Sequence, residues 1–514
     1  MGCITNTWYS FKINGGIAGF FPGKSGIRQG DPLSPYLFVL SMEILSRHLG
    51  ILCDQKNVSY HPKCSKLNLN HLIFADDLMI FVRGDVPSVV AVKDSLVKFA
   101  SLSGLHANVD KTNIYFGGVP PALVTEIIHA TGFSKGQFPF KYLSIPSSTS
   151  RVSVNMFDPL LTKIQKKVFH WSSHALSYAG KLQLISSVVF GLDNYWGASL
   201  LLPGAITKRI EQLCRQFFWG IPDSARKLVF KSWKSICSPW SGGGFNIKDL
   251  SSWNRSLLVK WLALLLAPAS SLWAKWQHAY VLKGTDIWNL QSKDSFSTSM
   301  KGILIIRDLL VASAGSIQTA HNLLQSWLQG SHFHLHLAYD FFRAAPVQGN
   351  WTKGLSYSSI VPSHRITCSM AAQGQLATQD NVKKRGYQFA NRCYFCLSSE
   401  EDHDHLFFSC PFTAQVWSSI LNWMSLPHLS ASLPHLLAAC PFGSSKHHWK
   451  VHCFYTSLAA SVNQLWWERN QRLFCHKSTD AAGILRKIKD LVLARLSLKF
   501  PQSLLSPVLT PLAP

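Results

Sequence analysis

Phe74-Ala75-Asp76-Asp77 lies between two apolar runs, Leu72–Phe74 and Leu78–Val82. Two short apolar runs on either side of a tight turn predict a β-hairpin over His71–Val82. Apolar strands force such a hairpin into a sheet, and the turn then projects both carboxylates at one edge. Nucleotidyl transfer uses acids placed in this way. They hold two Mg²⁺ about 4 Å apart, which activate a 3′ oxygen and stabilise the departing pyrophosphate. Mg²⁺ is a hard cation that prefers oxygen ligands, so Asp suits it. Asp is equally a common turn residue, and taken alone the pair describes an ordinary turn more often than a metal site.

Upstream of the acids, at a distance of about 45 residues, runs Ile27-Arg-Gln-Gly-Asp-Pro-Leu-Ser-Pro35. Its end predicts a helix over Ser34–Leu49, with Ser34 as N-cap and Pro35 at the first helical position. A glycine at a loop-to-helix junction, Gly30, lets a base or sugar approach the backbone closely. Arg28 offers a guanidinium to phosphate. By itself the string is also what an ordinary turn before a helix looks like. Downstream, Ser88–Ser103 predicts a second helix, with Val89, Val92, Leu96 and Phe99 on one face and Gly104 beyond its end.

Arg-Gln-Gly-Asp-Pro-Leu-Ser-Pro followed by Phe-Ala-Asp-Asp, in this order and spacing, resembles the reverse transcriptases of LINE-type non-LTR retrotransposons, particularly those of plants. So does the text that follows: Ser103-Gly-Leu-His-Ala-Asn-Val-Asp-Lys-Thr112, Phe116-Gly-Gly118 and Tyr142-Leu-Ser-Ile-Pro146. Ala179-Gly-Lys-Leu-Gln-Leu-Ile-Ser-Ser-Val188 is similar to the thumb of the same elements. The resemblance spans roughly residues 8–425 and is strongest over 20–145. It implies RNA-templated DNA synthesis, primed from a nicked chromosomal target in the nucleus, with an RNA template and a DNA primer as partners. It implies that Asp76 carries the catalytic metal role with Asp77 beside it, and that Gln29 and Gly30 sit against the templating base and incoming nucleotide. Lys111 matches the lysine that follows the palm hairpin. Two readings of it stand side by side, a general acid for pyrophosphate and a solvated surface lysine.

The family's first metal carboxylate lies on a strand well before the Arg-Gln-Gly-Asp-Pro motif. Residues 1–30 of this chain contain no Asp and no Glu, and the first acid is Asp31. The expectation is therefore a partial palm that lacks its fingers and first strand, with an open sheet edge, and a chain that does not polymerise alone. The alternative function is a non-catalytic, zinc-containing nucleic-acid-binding remnant. A group II intron-type maturase would share the palm chemistry, but the zinc motif described below argues against it. In Tyr142-Leu-Ser-Ile-Pro-Ser, Ser144 stands where the family carries Gly and Ser147 where it carries an apolar residue, a drift that fits relaxed selection.

The rest of the chain bounds these readings. Its 514 residues make room for roughly two to four domains. With 47% hydrophobic and 12% aromatic residues it can bury sizeable cores and is not compositionally disordered. Fifty Lys+Arg against 26 Asp+Glu give +24, a field that favours polyanions. No charged-then-apolar leader opens the chain. The longest apolar stretch, around Trp261–Ala267, is too short for a membrane span and reads as a buried helix from Trp261 to Ala269. Twelve Cys then read as reduced thiols or metal ligands. Four of the candidate ligands form Cys393-x₂-Cys396-x₈-His405-x₄-Cys410, a spacing suited to tetrahedral zinc with three sulfurs and one nitrogen. A filled set of four makes the ion structural, and His403 competes with His405. Cys393–Pro411 resembles the zinc-binding domain that follows plant LINE-type reverse transcriptases. Nearby Lys383-Lys-Arg385 and Arg392, interleaved with Tyr387, Phe389, Tyr394 and Phe395, offer either an RNA-stacking surface or the packing of a small domain.

The expected architecture is thus α+β. A partial palm (1–148) is followed by a helical, basic thumb-like region (149–220), a helical Trp-rich connector (221–361), the zinc domain (362–425) and a helical tail (426–514). Trp466-Trp-Glu-Arg-Asn470 resembles the linker after the zinc domain and reads as a packed helix. The acids of 430–514 form no four-carboxylate set, so no ribonuclease H domain is expected there. The oligomeric state is not legible.

Overall fold

The computed structural model describes residues 7–23, 26–147, 153–172, 176–220, 229–266, 271–330, 332–343, 349–426, 432–438, 442 and 449–501. The expected tail at 502–514 and the last residues of the helix expected to reach Ala269 lie outside these. The chain divides into two compact units, Met1–Val152 with Leu262–Thr298, and Ser153–Trp261 with Ser299–Pro514.

The first unit is mixed α and β. Trp8–Ile13 and Gly16–Pro22 form an antiparallel hairpin around Asn14-Gly15, both with positive φ. That is the turn chemistry a two-residue hairpin favours. Its side chains are largely exposed, among them Trp8, Phe11, Ile13, Ile17 and Phe20. A long helix, Ser34–Asp54, follows. Ser34 was expected to cap it, but Leu33 occupies the cap and Ser34 is already helical. The reason is the preceding turn. Asp31 Oδ1 accepts from the Leu33 N–H, the Asp31 carbonyl accepts from the Ser34 N–H, and the Ser34 hydroxyl is turned back to donate to the Arg28 carbonyl at 2.6 Å. The helix continues past Leu49 because its buried row does: Leu45, Leu49 and Cys53 recur every fourth residue.

The carboxylate hairpin pairs His71–Phe74 with Asp77–Ile80. Ile73, Leu78 and Ile80 pack on Met42, Leu45, Leu49 and Phe99 from the two flanking helices. Ile80 and Val82 also meet a second cluster around Cys53, Val58 and Val92. The second flanking helix, Val86–Ser103, starts before the expected Ser88 because Asp85 takes the cap and accepts from the Ser88 N–H at 2.9 Å. Gly104 closes it at φ +73°. Three further two-stranded pieces lie in this chain, and no third strand joins the carboxylate hairpin among the described residues.

Ser144 stands in the turn between Phe140–Tyr142 and Ile145–Ser147 with φ +67°. This is the left-handed region where glycine is free and an L side chain is strained, which explains the Gly of the resembling enzymes. Ser144→Gly is expected to raise the denaturation free energy of this unit by about 1 kcal/mol. A urea titration followed by circular dichroism measures it, and an unchanged or lower midpoint would contradict the strain.

Among the described residues one helix, Ser34–Asp54, is long and apolar enough to cross a membrane by length and composition. The sequence pointed elsewhere, to Trp261, for its longest apolar stretch. Tyr36, Val39, Leu40 and Ile44 of this helix are exposed, while its other face lies in the core.

The second unit is helical. Asp158–Ser172, Tyr178–Leu184, Phe190–Gly197 and Gly204–Trp219 fill the basic stretch. The apolar run begun at Trp261 belongs to a longer helix, Leu250–Leu266. On it, Asn254 is buried, donating to the Gly197 and Leu200 carbonyls and accepting from the Leu202 N–H. Two ionisable groups stand out, the half-buried Glu211 and the buried Lys231. Burial, with Asp249 nearby, pushes Glu211 up to about 7. Burial pushes Lys231 down to about 8, and its ammonium donates to Gln373 Oε1 at 2.6 Å and Gln375 Oε1 at 3.0 Å. The C-terminal part holds Trp449–Cys475, against which Ala481–Ser497 packs.

Candidate metal centre and carboxylate hairpin

The hairpin register is His71↔Ile80, Leu72↔Met79, Ile73↔Leu78 and Phe74↔Asp77, leaving Ala75 and Asp76 as a two-residue turn. Ala75 holds φ +51°. Residues directly opposite one another in a pair share a face. Ile73, Leu78 and Ile80 therefore point to the helices, and Asp77 lies on the opposite face with Phe74 and Leu72. Asp76 sits in the turn itself, and both acids are exposed. The base of the hairpin is anchored by residues that sequence reasoning overlooked. His71 is hydrogen-bonded through Nε2 to the Ser46 hydroxyl at 2.8 Å and through Nδ1 to Asn70 Oδ1 at 2.6 Å. Asn70, buried, donates to the Leu49 carbonyl at 2.8 Å. Burial lowers the His71 pKa. The signal was present as polar residues bordering an apolar run, but polarity alone does not distinguish an anchor from a surface loop.

Arg28, Gln29 and Gly30 form an exposed loop before the long helix. Gly30 has φ +89° and open space where a Cβ would stand. Lys111 ends a short helical turn, its N–H donating to Asn108 Oδ1, and its side chain is exposed. Among the described residues no third carboxylate joins Asp76 and Asp77 in a metal-sized cluster. Two carboxylates can hold one Mg²⁺ together with phosphate oxygens.

The second cluster is complete. Cys393, Cys396, His405 and Cys410 place one donor atom each within 4.8 Å of all the others. Cys393 Sγ and Cys410 Sγ are 3.9 Å apart, and Cys396 Sγ and His405 Nε2 are 3.4 Å apart. Zinc–sulfur bonds of about 2.3 Å and zinc–nitrogen bonds of about 2.0 Å at tetrahedral angles give about 3.8 Å and about 3.5 Å for the same pairs. The donor set fits zinc. Backbone hydrogen bonds hold the spacing: Leu397 N–H to the Cys393 carbonyl, Cys393 N–H to the Ser399 carbonyl, and Cys410 N–H to the His405 carbonyl. Leu397 takes the positive φ that closes the Cys-x-x-Cys turn.

The electrostatics favour thiolate at Cys396 and Cys410, while the hydrogen bond with Cys410, together with burial, pushes the Cys393 thiol up. Burial opposes ionisation of Cys396, but hydrogen bonds from Ser398, the Ser399 N–H and His405 bring it down to about 5. Cys393, together with the Phe412 and Thr413 N–H groups at the start of helix Pro411–Trp423, lowers Cys410. His403 is placed elsewhere. It is within 3.3 Å of the Leu376 N–H and 3.4 Å of the Thr378 hydroxyl, outside the four-donor group. Around the cluster the aromatics divide. Phe395 is buried, whereas Tyr387 and Phe389 are 48% and 39% exposed on a loop, Lys383–Ala390, whose every residue faces solvent.

Two segments of the chain match known protein families. Residues 1–147 match the family described as reverse transcriptase (RNA-dependent DNA polymerase), and residues 333–417 match the family described as zinc-binding in reverse transcriptase. The chain thus carries a reverse-transcriptase domain and the zinc-binding domain associated with such enzymes. A putative ribonuclease H protein of Arabidopsis thaliana is 29% identical over 36% of this chain and 30% of its own length. An uncharacterised mitochondrial protein of the same plant is 44% identical over 14% of this chain and 62% of its own. The Pol polyprotein of a type-2 R2 retrotransposable element of Drosophila melanogaster is 32% identical over 29% of this chain and 14% of its own. Each match spans less than two thirds of the relative's length. These two matched domains and these relatives make the chain similar to the reverse transcriptases of non-LTR retrotransposons.

Proposed function

We propose that the 514 residues form the palm, thumb and zinc-bearing part of a plant-type retrotransposon reverse transcriptase that binds RNA template and DNA primer but lacks a complete catalytic metal site of its own. The observation that carries this reading is the exposed Asp76–Asp77 pair on a rigidly backed hairpin, with no third acid beside it among the described residues. Asp76 and Asp77 hold the cation, which supplies charge neutralisation at the phosphate when bound. Gln29 and Gly30 lie against the template base and nucleotide, and Arg28 meets phosphate. Lys111 is the proton donor to pyrophosphate. The helices between Asp158 and Trp219, rich in lysine, serve as the thumb. Cys393, Cys396, His405 and Cys410 hold a structural zinc ion. The family's working place is the nucleus.

Primer extension on an RNA template with Mg²⁺ tests the reading. The 514-residue chain is expected to show no extension above an Asp76→Ala control, because losing a ligand from a two-metal clamp removes several kcal/mol of transition-state stabilisation. Extension that Asp76→Ala abolishes would mean that another acid completes the site.

The second reading, nucleic-acid binding without catalysis, is favoured by the Lys383–Ala390 loop. It is pinned at its ends by Asn381, which donates to the Gly374 and Leu376 carbonyls, and by the buried Asn391, which donates to the Glu401 carbonyl. Between these pins Tyr387 and Phe389 offer two exposed rings, with the exposed Lys383 and Arg392 at the two ends of the same stretch. Stacking of a base on an aromatic ring contributes about 1–3 kcal/mol. The double change Tyr387→Ala with Phe389→Ala is expected to weaken binding of single-stranded RNA by at least about tenfold. Fluorescence anisotropy measures it, and equal affinity would remove the loop from the interface.

A further inference from the structure

The stretch Trp466-Trp-Glu-Arg-Asn470 has no part in the activity discussed so far, yet it lies on a helix, Trp449–Cys475, whose arginines contact the segments that carry the four donors. Arg469 Nη2 donates to Glu401 Oε1 at 2.6 Å, and its Nε reaches both oxygens at 3.2 and 3.1 Å. Both side chains are buried, at 4% and 0% exposure. Glu401 belongs to the segment between Cys396 and His405, and it also accepts from the Gln379 N–H. Tyr394, within the Cys-x-x-Cys turn, lies under the Arg469 guanidinium.

One turn further along the helix, Arg472 covers Phe395 at 4.8 Å and Phe412 at 4.5 Å, and these two rings stack on each other. Phe395 sits between Cys393 and Cys396, and Phe412 follows Cys410 by two positions. Arg472 is itself fixed. Its Nε meets Glu468 Oε1 at 3.0 Å, its Nη2 donates to the Thr479 carbonyl, and Glu468 accepts from the Thr479 N–H at 2.7 Å.

We propose that helix Trp449–Cys475 is a working part of the zinc centre, with Arg469 and Arg472 as positioning residues that hold the ligand-bearing segments in liganding geometry. This rests on the reading of the four-donor cluster as a zinc site. Local backbone hydrogen bonds shape each turn of the cluster, and contacts from the helix tie those turns to one another. Arg472 supplies this tie to the first pair of cysteines and to Cys410 through one planar group shared by two rings. Arg469 supplies it to the segment between Cys396 and His405 through a buried two-point ion pair. Partners beyond the ligands themselves commonly change metal affinity by 10–100-fold when removed. Coupling is reciprocal, so the ion must also stabilise the docked helix.

The test uses the full zinc-loaded chain and a chromogenic chelator. Arg472→Met, which keeps the aliphatic stem and loses the planar cation, is expected to release zinc about tenfold faster. Arg472→Lys should not restore the parent rate, since an ammonium cannot lie flat across two rings. Ile488→Ala, in the fully buried row of the neighbouring helix Ala481–Ser497, serves as a control for general destabilisation. Hydrogen exchange on the unaltered chain gives a readout that needs no variant: chelation should raise exchange across 466–475. A parent release rate in Arg472→Met, equal acceleration in Ile488→Ala, or unchanged exchange after chelation would each overturn the coupling. A parent chain that takes up no zinc would instead overturn the zinc reading beneath it.

Discussion

Cys410→Ser is expected to lose the bound zinc and melt the segment from Gln379 to Trp423, with zinc content falling from about one per chain to near zero. Structural zinc contributes apparent free energies of about 10–16 kcal/mol in small zinc-dependent folds. Cys410 is fully buried and stands at the start of helix Pro411–Trp423, so its loss uncouples that helix from the Cys-x-x-Cys turn. Leu406, Phe407 and Val416 are buried beside it and would become accessible. Metal analysis combined with hydrogen exchange on 379–423 checks the result. Full protection in a zinc-free Cys410→Ser chain would show that the segment folds without the ion.

A second large effect is expected in the pH dependence of stability of the helical unit. The folded chain raises Glu211 from the ordinary carboxylate range to about 7. Between pH 4.5 and 7 the folded state therefore holds a proton that the unfolded state has released, so stability falls as pH rises through this window. The loss is complete well above pH 7 and amounts to at most about 3.5 kcal/mol, at about 1.4 kcal/mol per pH unit, reduced by the solvent that reaches this half-buried group. Lys231 works in the opposite sense. Burial lowers it to about 8. Between pH 8 and 10.5 the unfolded state holds the extra proton, so stability rises with pH there. Together they place a minimum of stability between about pH 7 and 8. Glu211→Gln should raise the melting temperature at pH 8 and leave it unchanged at pH 4. Calorimetry at the two pH values measures this, and an equal shift at both would refute a titration effect.

Local chemistry made much of the site legible in advance. A hairpin was expected over His71–Val82 and forms over His71–Ile80, with Val82 bridging to Tyr60; it could be read because its two apolar runs and its acids fall within a dozen residues, inside the reach of pattern and turn rules. The zinc ligands could be read because ligand spacing is a covalent constraint, and the structure brings the same four together. What escaped was decided by contacts distant in sequence. Ser34 looks like a cap from its neighbours, yet the turn at Asp31 takes over that function. His403 and His405 are equivalent in spacing. They separate only because His403 packs against Leu376 and Thr378, more than twenty residues away. Arg469 and Glu401 lie 68 positions apart, and no period or motif links them. Tyr387 and Phe389 are of the same type as Phe395, and only the fold distinguishes a ring in solvent from one under a guanidinium.

The open faces of the first unit have a consequence for the chain as a colloid. Trp8, Phe11, Ile13, Ile17 and Phe20 on the first hairpin, and Tyr36, Val39, Leu40 and Ile44 on the long helix, make it an amphiphile. At low ionic strength the charge of +24 keeps molecules apart, because like charges repel over about 10 Å or more. Added salt shortens that range to a few ångströms and lets the apolar faces meet. The ordinary practice of raising salt to strip bound nucleic acid during purification would therefore drive this chain out of solution, and a polyanion would act as its solubiliser.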